Sequence, residues 1–393
     1  MTMKRVDRES KRRNSEVLVI GGGVIGSAIA YYLSCDGLEV TQLEAAHQAN
    51  GASGHAAGML AAGLEHFSSE ELRRWAQRSQ QLMGPLIKEL KLHSEINVGM
   101  NDSGFVVPFI KDRKREEEFS ETIERAKQKH WWNKSKLQDE IPWITKKAEG
   151  ALFYPQEHQL LPAELTKAYI KGAQKNGAAF IDHCTVSRLL LDNGRVTGVE
   201  TNQGTYTADK VVIAAGLGSD AILRSIGTQL NTYPVKGEMV ALSMQTTQTM
   251  NGETLRYTIY TPDVYIVPKP NQEIWIGATS IPYGNDYKVS ASGLNTLLHR
   301  ATGWVPGIGE ASFIRTWAGL RPQTVDGLPY IGAYSEVQGL YLAVGHYRNG
   351  VLLSAVTGET MSRLLSGETE DEIGIRSFSA SRIIKERRGI YCC

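Results

Sequence analysis

Apolar positions along this chain change rhythm several times, and each change predicts an element. Val17-Leu18-Val19-Ile20 is a short, unbroken apolar run, as expected for a strand buried on both faces. Beyond Gly21, Gly22, Gly23 and Gly26 the spacing becomes helical through Ile25, Ala28, Ile29, Tyr32 and Leu33, with Gly37 as a stop. Glu39 to Leu43 predicts a second strand that ends at Glu44, completing a βαβ unit. Ser68-x-x-Glu71 reads as a capping box, followed by Leu72, Trp75, Ala76, Leu82, Met83, Leu86, Ile87 and Leu90 on one helical face. Gly84-Pro85 should kink that helix.

Residues 112–130 are densely charged and predict a solvent-facing helix. A helix over 163–176 precedes a meander: Val186 to Leu191, an Asp192-Asn193-Gly194 turn, Arg195 to Thr201, and Thr205 to Ala208. Val211-Val212-Ile213 then runs into Ala214-Ala215-Gly216, a second approach of strand to glycine. Met239 to Leu242, Tyr257 to Tyr260, Val264 to Val267 and Ile274 to Ala278 predict an antiparallel sheet. Gly339 to Val344, a glycine-rich turn and a helix from about Gly350 to Leu365 return to the first rhythm.

These elements imply an α/β protein: a discontinuous Rossmann-like domain and a substrate domain with an antiparallel sheet and flanking helices. Residues 15–95, 150–233 and 312–366 are assigned to the first, 96–149 and 234–311 to the second, and 1–14 and 367–393 to tails. The length of 393 residues is ample for two cores.

Composition removes alternatives. Net charge is +1, so nothing points to nucleic acid or to an anionic membrane. Residues 17–35 carry no formal charge, but their glycines break the segment and a membrane span is rejected. The basic residues of the first 14 precede no cleavage pattern, so they read as a tail and not as a signal peptide. Cys35, Cys184, Cys392 and Cys393 are scattered or terminal, with neither disulfide nor zinc spacing, which fits a cytoplasmic protein without a metal. No role is assigned to the terminal pair.

The chemistry begins at Gly21-x-Gly23-x-x-Gly26. Alone this pattern is weak; between a strand and a helix, with Glu44 eighteen residues beyond Gly26, it predicts an adenine dinucleotide. The glycines let the main chain approach a pyrophosphate, the helix N-terminus favours its charge, and Glu44 can accept from ribose hydroxyls. The next stretch, N-G-A-S-G-H-A-A-G-M-L from Asn50 to Leu60, has little side chain and could lie against a flat ligand, although a tight helix–sheet contact would fit as well.

With G-G-G-V-I-G-S-A-I-A-Y-Y-L, the A-A-G-M-L run, P-V-K-G-E at 234–238, Y-I-V-P at 265–268, W-A-G-L-R-P at 317–322 and G-H-Y-R-N-G at 345–350, the chain resembles the glycine oxidase branch of the D-amino-acid oxidase family. The resemblance covers residues 16 to about 365. It implies an FAD-dependent oxidase of glycine, sarcosine, D-alanine and similar amines, a product serving thiamine thiazole synthesis (iminoglycine), and contact with the thiazole synthase machinery. It also implies a homo-oligomer, often a tetramer in the family. By the same resemblance Arg321 pairs with the substrate carboxylate, Tyr265 adds a hydroxyl contact and Arg348 lies close by; a guanidinium matches a carboxylate bidentately. An ion pair elsewhere is the plain alternative for either arginine.

The implied FAD contacts are Gly21, Gly23, Val24, Ile25 and Gly26 at the first turn, then Glu44 and Ala45. They continue with Ala52, Ser53, Ala57, Gly58 and Met59, then Val186, and finally His346, Tyr347, Arg348, Asn349, Gly350, Val351 and Leu352 beside the isoalloxazine. FAD is expected without a covalent bond, and a link through His55 is the minority alternative. The expected reaction is hydride transfer from the neutral amine to flavin N5, with O2 reduced to H2O2 and no acid–base residue. A dehydrogenase for D-amino acids or N-methyl amines with another acceptor is the rival reading. Ser280 and Asp263 depart from the branch's pattern and leave the preferred amine open.

Overall fold

A computed structural model describes residues 13–110, 130–244 and 255–383. The helix expected over 112–130 lies outside the described residues except for His130, as do residues 1–12 of the basic tail and the Cys392-Cys393 pair.

The βαβ unit is built from β1 (Asn14–Ile20), α1 (Val24–Cys35) and β2 (Val40–Leu43), with β1 and β2 parallel in the register Ile20↔Leu43. The small-residue stretch forms one helical turn, α2 (Ala52–His55), and a short strand, β3 (Met59–Leu60). Along α3 (Glu70–Ser94) the stripe Leu72, Trp75, Ala76, Met83, Leu86 and Leu90 is buried, and Pro85 sits inside without ending the helix. Its cap corrects the expected one by a residue. Ser69 is the N-cap and its side chain accepts from Leu72 N at 3.1 Å, while Ser68 Oγ donates to Gly327 O at 3.0 Å. That shift puts both Glu70 and Glu71 in the first turn, where the helix dipole favours them.

Next come β4 (Phe105–Ile110), β5 (Trp131–Asn133), α4 (Lys134–Glu140), β6 (Ala148–Tyr154) and β7 (His158–Gln159), the last paired with β3. α5 (Pro162–Lys175) leads to β8 (Ala179–Ile181), parallel to β2. β9 (Val186–Asp192) and β10 (Arg195–Thr201) meet at Asn193 (φ 48°) and Gly194 (φ 78°), the left-handed pair that an Asn-Gly hairpin turn requires. The two strands expected after it are one, β11 (Gly204–Ile213). It pairs antiparallel with β10 and, from Thr207 onward, parallel with β1. Asp209 and Lys210 interrupt the apolar pattern but break no ladder.

After α6 (Ser219–Arg224), the strands β12 (Thr232–Ser243), β13 (Thr258–Tyr260), β14 (Tyr265–Pro268), β15 (Glu273–Gly277) and β16 (Ile281–Pro282) enter a second sheet. α7 (Ala291–Trp304) packs on β12 and β15. β17 (Ser312–Thr324), which the sequence assigns to the dinucleotide unit, pairs with β12 from Thr232↔Thr324 to Ser243↔Ser312 and so lies in the second sheet. β18 (Tyr330–Ala333), β19 (Leu340–Val344), α8 (Gly350–Leu365) and α9 (Glu370–Ile373) complete the described chain.

The first sheet runs β18-β19-β11-β1-β2-β8, with β10 and β9 continuing from β11. Its core divides by face: Val17 and Val19 pack with α1, α3, α5 and α8, while Leu18 and Ile20 pack with Leu189, Val196 and Leu223 on the other side. The second sheet runs β16-β12-β15-β14-β13-β4-β6-β5 and has its own core around Val240, Ile266, Ile276 and Leu297. Residues 370–383, expected as tail, are packed: Ile375 and Phe378 join one face of the first sheet, Ala380 and Ile383 the other. Four apolar residues spread over nine positions cover the end of that sheet beside β18, a pattern too irregular to read as an element. Among the described residues, no helix is long and apolar enough to cross a membrane.

Candidate active site

A cavity of about 580 Å³ opens where β1, β2, β11 and β19 end, and it continues between the two sheets. Ligands of open parallel sheets collect at such carboxyl ends. The first turn is shaped for close approach. Gly21 has φ +117°, and a Cβ there would lie 2.4 Å from Ala214 O. A Cβ on Gly26 would lie 2.1 Å from Gly21 O, so any side chain would push the turn off the helix. Ser53 Oγ, from α2, accepts from Val24 N at 2.9 Å and ties the small-residue stretch to the start of α1. Glu44 accepts from Gly22 N at 2.6 Å and Ala46 N at 2.9 Å. A carboxylate has about four lone-pair sites, so it can still accept from a ribose.

Of the residues expected around FAD, all line this cavity except two. Gly26 lies beneath the turn, where it permits the loop without touching the space above. Leu352 is 1% exposed in the helical core of the first sheet. Both follow from helix geometry, because consecutive residues face different sides and a glycine-rich loop needs support from below. Arg321, Tyr265 and Arg348 line the same cavity. The residues present therefore fit a flat dinucleotide along one wall and a small anion at the other end.

The two arginines differ in electrostatics. Arg348 pairs with the buried Glu65 at 3.0 Å. Burial raises the Glu65 carboxyl and the Arg348 guanidinium opposes it, so this pair consumes its own charge. Arg321 donates from Nη1 to Thr279 O at 3.3 Å and makes no ion pair among the described residues. Its place follows from β17, where it stands opposite Val235, and from Gly237, whose absent side chain leaves room for the guanidinium. Tyr265 is buried on β14; burial pushes its phenol upward, so the hydroxyl remains a donor.

His346 is buried and its Nε2 lies 3.1 Å from Thr357 Oγ1. Burial lowers it to about 3, leaving the ring neutral. Beyond it, α8 begins at Gly350 with no side-chain cap on its first turn, and Gly350 and Val351 line the cavity. His55 also lines it. Its Nδ1 donates to Gly51 O at 2.8 Å, and its ring centroid is 5.7 Å from that of Tyr287.

Several neighbours escaped the sequence reading. Ala214 to Gly218 form a wall opposite the first turn, and the strand-to-glycine signal there could have marked them. Glu65 had no local signal. Lys269 is fully enclosed: its Nζ donates to Ala57 O (2.8 Å), Leu160 O (2.7 Å) and Gln159 Oε1, fastening the small-residue stretch to β14's sheet, and burial drives its pKa well below the ordinary value. Ser280 lines the cavity, whereas Asp263 lines a smaller adjoining cavity of about 400 Å³.

Residues 16–364 match the family of FAD dependent oxidoreductases abbreviated DAO. A glycine oxidase of Geobacillus kaustophilus (strain HTA426) is 35% identical over 384 residues, covering 94% of this chain and 97% of that protein. The crystal structure of glycine oxidase from Geobacillus kaustophilus superposes with a TM-score of 0.85 at 34% identity, covering 94% of this chain and 99% of that one. The bifunctional protein ThiO/ThiG of Nostoc sp. is 30% identical over 372 residues, which span 94% of this chain but 55% of that protein.

Proposed function

Because this chain belongs to the D-amino-acid oxidase family of FAD-dependent oxidoreductases, we propose that it oxidatively deaminates glycine and other small amines such as sarcosine and D-alanine. It is an FAD-dependent amino acid oxidase, and the finer reading concerns its substrate and its residues. The observation that carries that reading is Arg321, without an ion pair among the described residues, beside Tyr265 in the cavity that begins at the dinucleotide turn.

Bound along the wall of the first turn, Glu44 and α2, FAD would supply a hydride acceptor for the substrate's Cα–H and a two-electron route to O2, with hydrogen peroxide as product. The chain's own residues do the rest. Arg321 holds the substrate carboxylate and the Tyr265 hydroxyl donates to it, so the carboxylate end is fixed while the amine end faces the cofactor wall. Arg348, held by Glu65, completes the polar end without adding net charge. No side chain acts as a base: the amine arrives neutral, and water hydrolyses the imine to an oxoacid and ammonia, or methylamine from sarcosine. The first turn, Glu44 and the α2 stretch would hold FAD non-covalently, and the uncapped start of α8 would favour negative charge beside it. In this reading the first sheet carries the cofactor and the second, including β17, carries the substrate.

Iminoglycine taken up before hydrolysis would serve thiamine thiazole synthesis, a link supported by the relative whose name joins ThiO to ThiG. The test is an anaerobic panel of glycine, sarcosine and D-alanine against the purified yellow protein. Bleaching by at least one amine and stoichiometric peroxide under air are expected. Absence of bleaching by all of them overturns the substrate reading, and turnover with an artificial acceptor but not with air would mark a dehydrogenase. Acid precipitation should leave the flavin in solution; flavin in the pellet would make His55 the attachment point to examine.

A further inference from the structure

β2 and β8 leave the first sheet side by side, and the main chain stitches the loops that follow them. Glu44 N donates to Ile181 O (2.9 Å), His183 N to Ala46 O (3.1 Å) and Cys184 N to Glu44 O (2.8 Å). This brings His47 from one loop against Asp182 and His183 from the other. The imidazole nitrogens and a carboxylate oxygen of the three lie within 4.8 Å of one another. The rings meet edge to face, centroids 4.5 Å apart and planes at 86°.

His183 has φ 51°, a left-handed conformation seldom adopted by residues other than glycine. It is held there from a third segment: Asn202 Nδ2 and Gln203 Nε2 donate to its carbonyl at 3.0 and 3.1 Å, and Gln203 Nε2 also reaches the Asp182 carbonyl at 3.0 Å. The backbone beneath the cluster is therefore fixed, while the three side chains stand exposed.

We infer that His47, Asp182 and His183 form a binding site for a divalent transition metal of the zinc, nickel or copper type. Two imidazole nitrogens and one carboxylate oxygen suit these ions, whereas calcium and magnesium prefer all-oxygen sites. Bound zinc holds such atoms at about 2.0–2.2 Å, hence roughly 3.3 Å apart, and small rotations of exposed side chains close the difference. A fourth position stays open to water or an anion. None of the three residues lines the active-site cavity, but their loops do, through Glu44, Ala45 and Ala46 on one side and Cys184, Thr185 and Val186 on the other. The metal is thus a staple across two loops of the cavity wall and takes no part in the oxidation.

The experiment uses tag-free full-length protein with its natural flavin, stripped with EDTA and titrated with ZnCl2 by calorimetry and equilibrium dialysis. One zinc per chain and a raised melting temperature are expected. H47A and H183A should each weaken binding by more than about tenfold, and D182N should weaken it too, while all three melt like the parent in EDTA. No saturable site, or zinc affinity in H47A and H183A equal to the parent's, overturns the proposal. Zinc binding is read without substrate or turnover, so failure of the substrate reading would leave this result standing, and the reverse.

Discussion

Arg321 and Arg348 enter one cavity with the same side chain and different partners. Glu65 neutralises Arg348, and Arg321 is left as the cation that can take a carboxylate. Arg321→Met should lower kcat/KM for glycine by roughly 30- to 1,000-fold, the loss of about 2–4 kcal/mol for a charge-assisted pair. The change should fall mainly on KM, with flavin content unaltered; steady-state kinetics on the yellow variant check it. His346 makes a pH prediction. Its folded value of about 3 is below the ordinary 6.5, so the unfolded chain binds the extra proton between those limits. The stability this contributes is complete above about pH 6.5 and is lost as pH falls toward 3. Between pH 6.5 and 5 the parent should lose about 1.5–2 kcal/mol more than His346→Gln. Denaturant melts at the two pH values decide, and equal slopes would remove the buried neutral ring from the account.

At the scale of elements, ends matter more than interiors. The apolar stripe of α3 was legible residue by residue, but its cap was displaced from Ser68 to Ser69, because either serine satisfies the local pattern and only the path of the chain selects one. Ser69→Ala should therefore cost about 1 kcal/mol, and Ser68→Ala, which loses an exposed bond to Gly327 O, about 0.5 kcal/mol or less. Equal midpoints of urea unfolding for the two variants would contradict this assignment. The first turn makes a stronger demand. Gly26→Ala would place a methyl 2.1 Å from Gly21 O, so the variant should purify without flavin or not fold. A yellow, stable Gly26→Ala protein, judged by absorbance, would show that the turn tolerates what its geometry excludes.

For the whole molecule, the segment 370–383 has an importance its sequence conceals. Phe378 packs on Trp75 with ring centroids 5.0 Å apart, and Arg382 bonds to Asp326 at 2.6 Å and Pro329 O at 2.9 Å. Truncation after Ser366 would bare the apolar surface that Ile375, Phe378, Ala380 and Ile383 cover. Complete burial of one large apolar side chain is worth about 1.5–3 kcal/mol, so the truncated chain should melt many degrees lower or aggregate. A melting temperature within a few degrees of the parent would show that the segment is dispensable.

Local order in the chain determined the βαβ unit, the Asn-Gly hairpin and the dinucleotide turn, because each is set by residues a few positions apart: a glycine that must leave the left-handed region open, or an apolar spacing that must match a helix. The family motifs pointed further, to Arg321, Tyr265 and the Gly345–Val351 turn, which line one cavity. Only the tertiary structure decided that β11 is a single strand joining two pairing modes, and that β17 belongs to the second sheet. It also decided that Glu65 silences one arginine and that His47 meets His183. Those outcomes join residues far apart in the chain, where no periodicity reports which partner a strand edge or a buried charge will find.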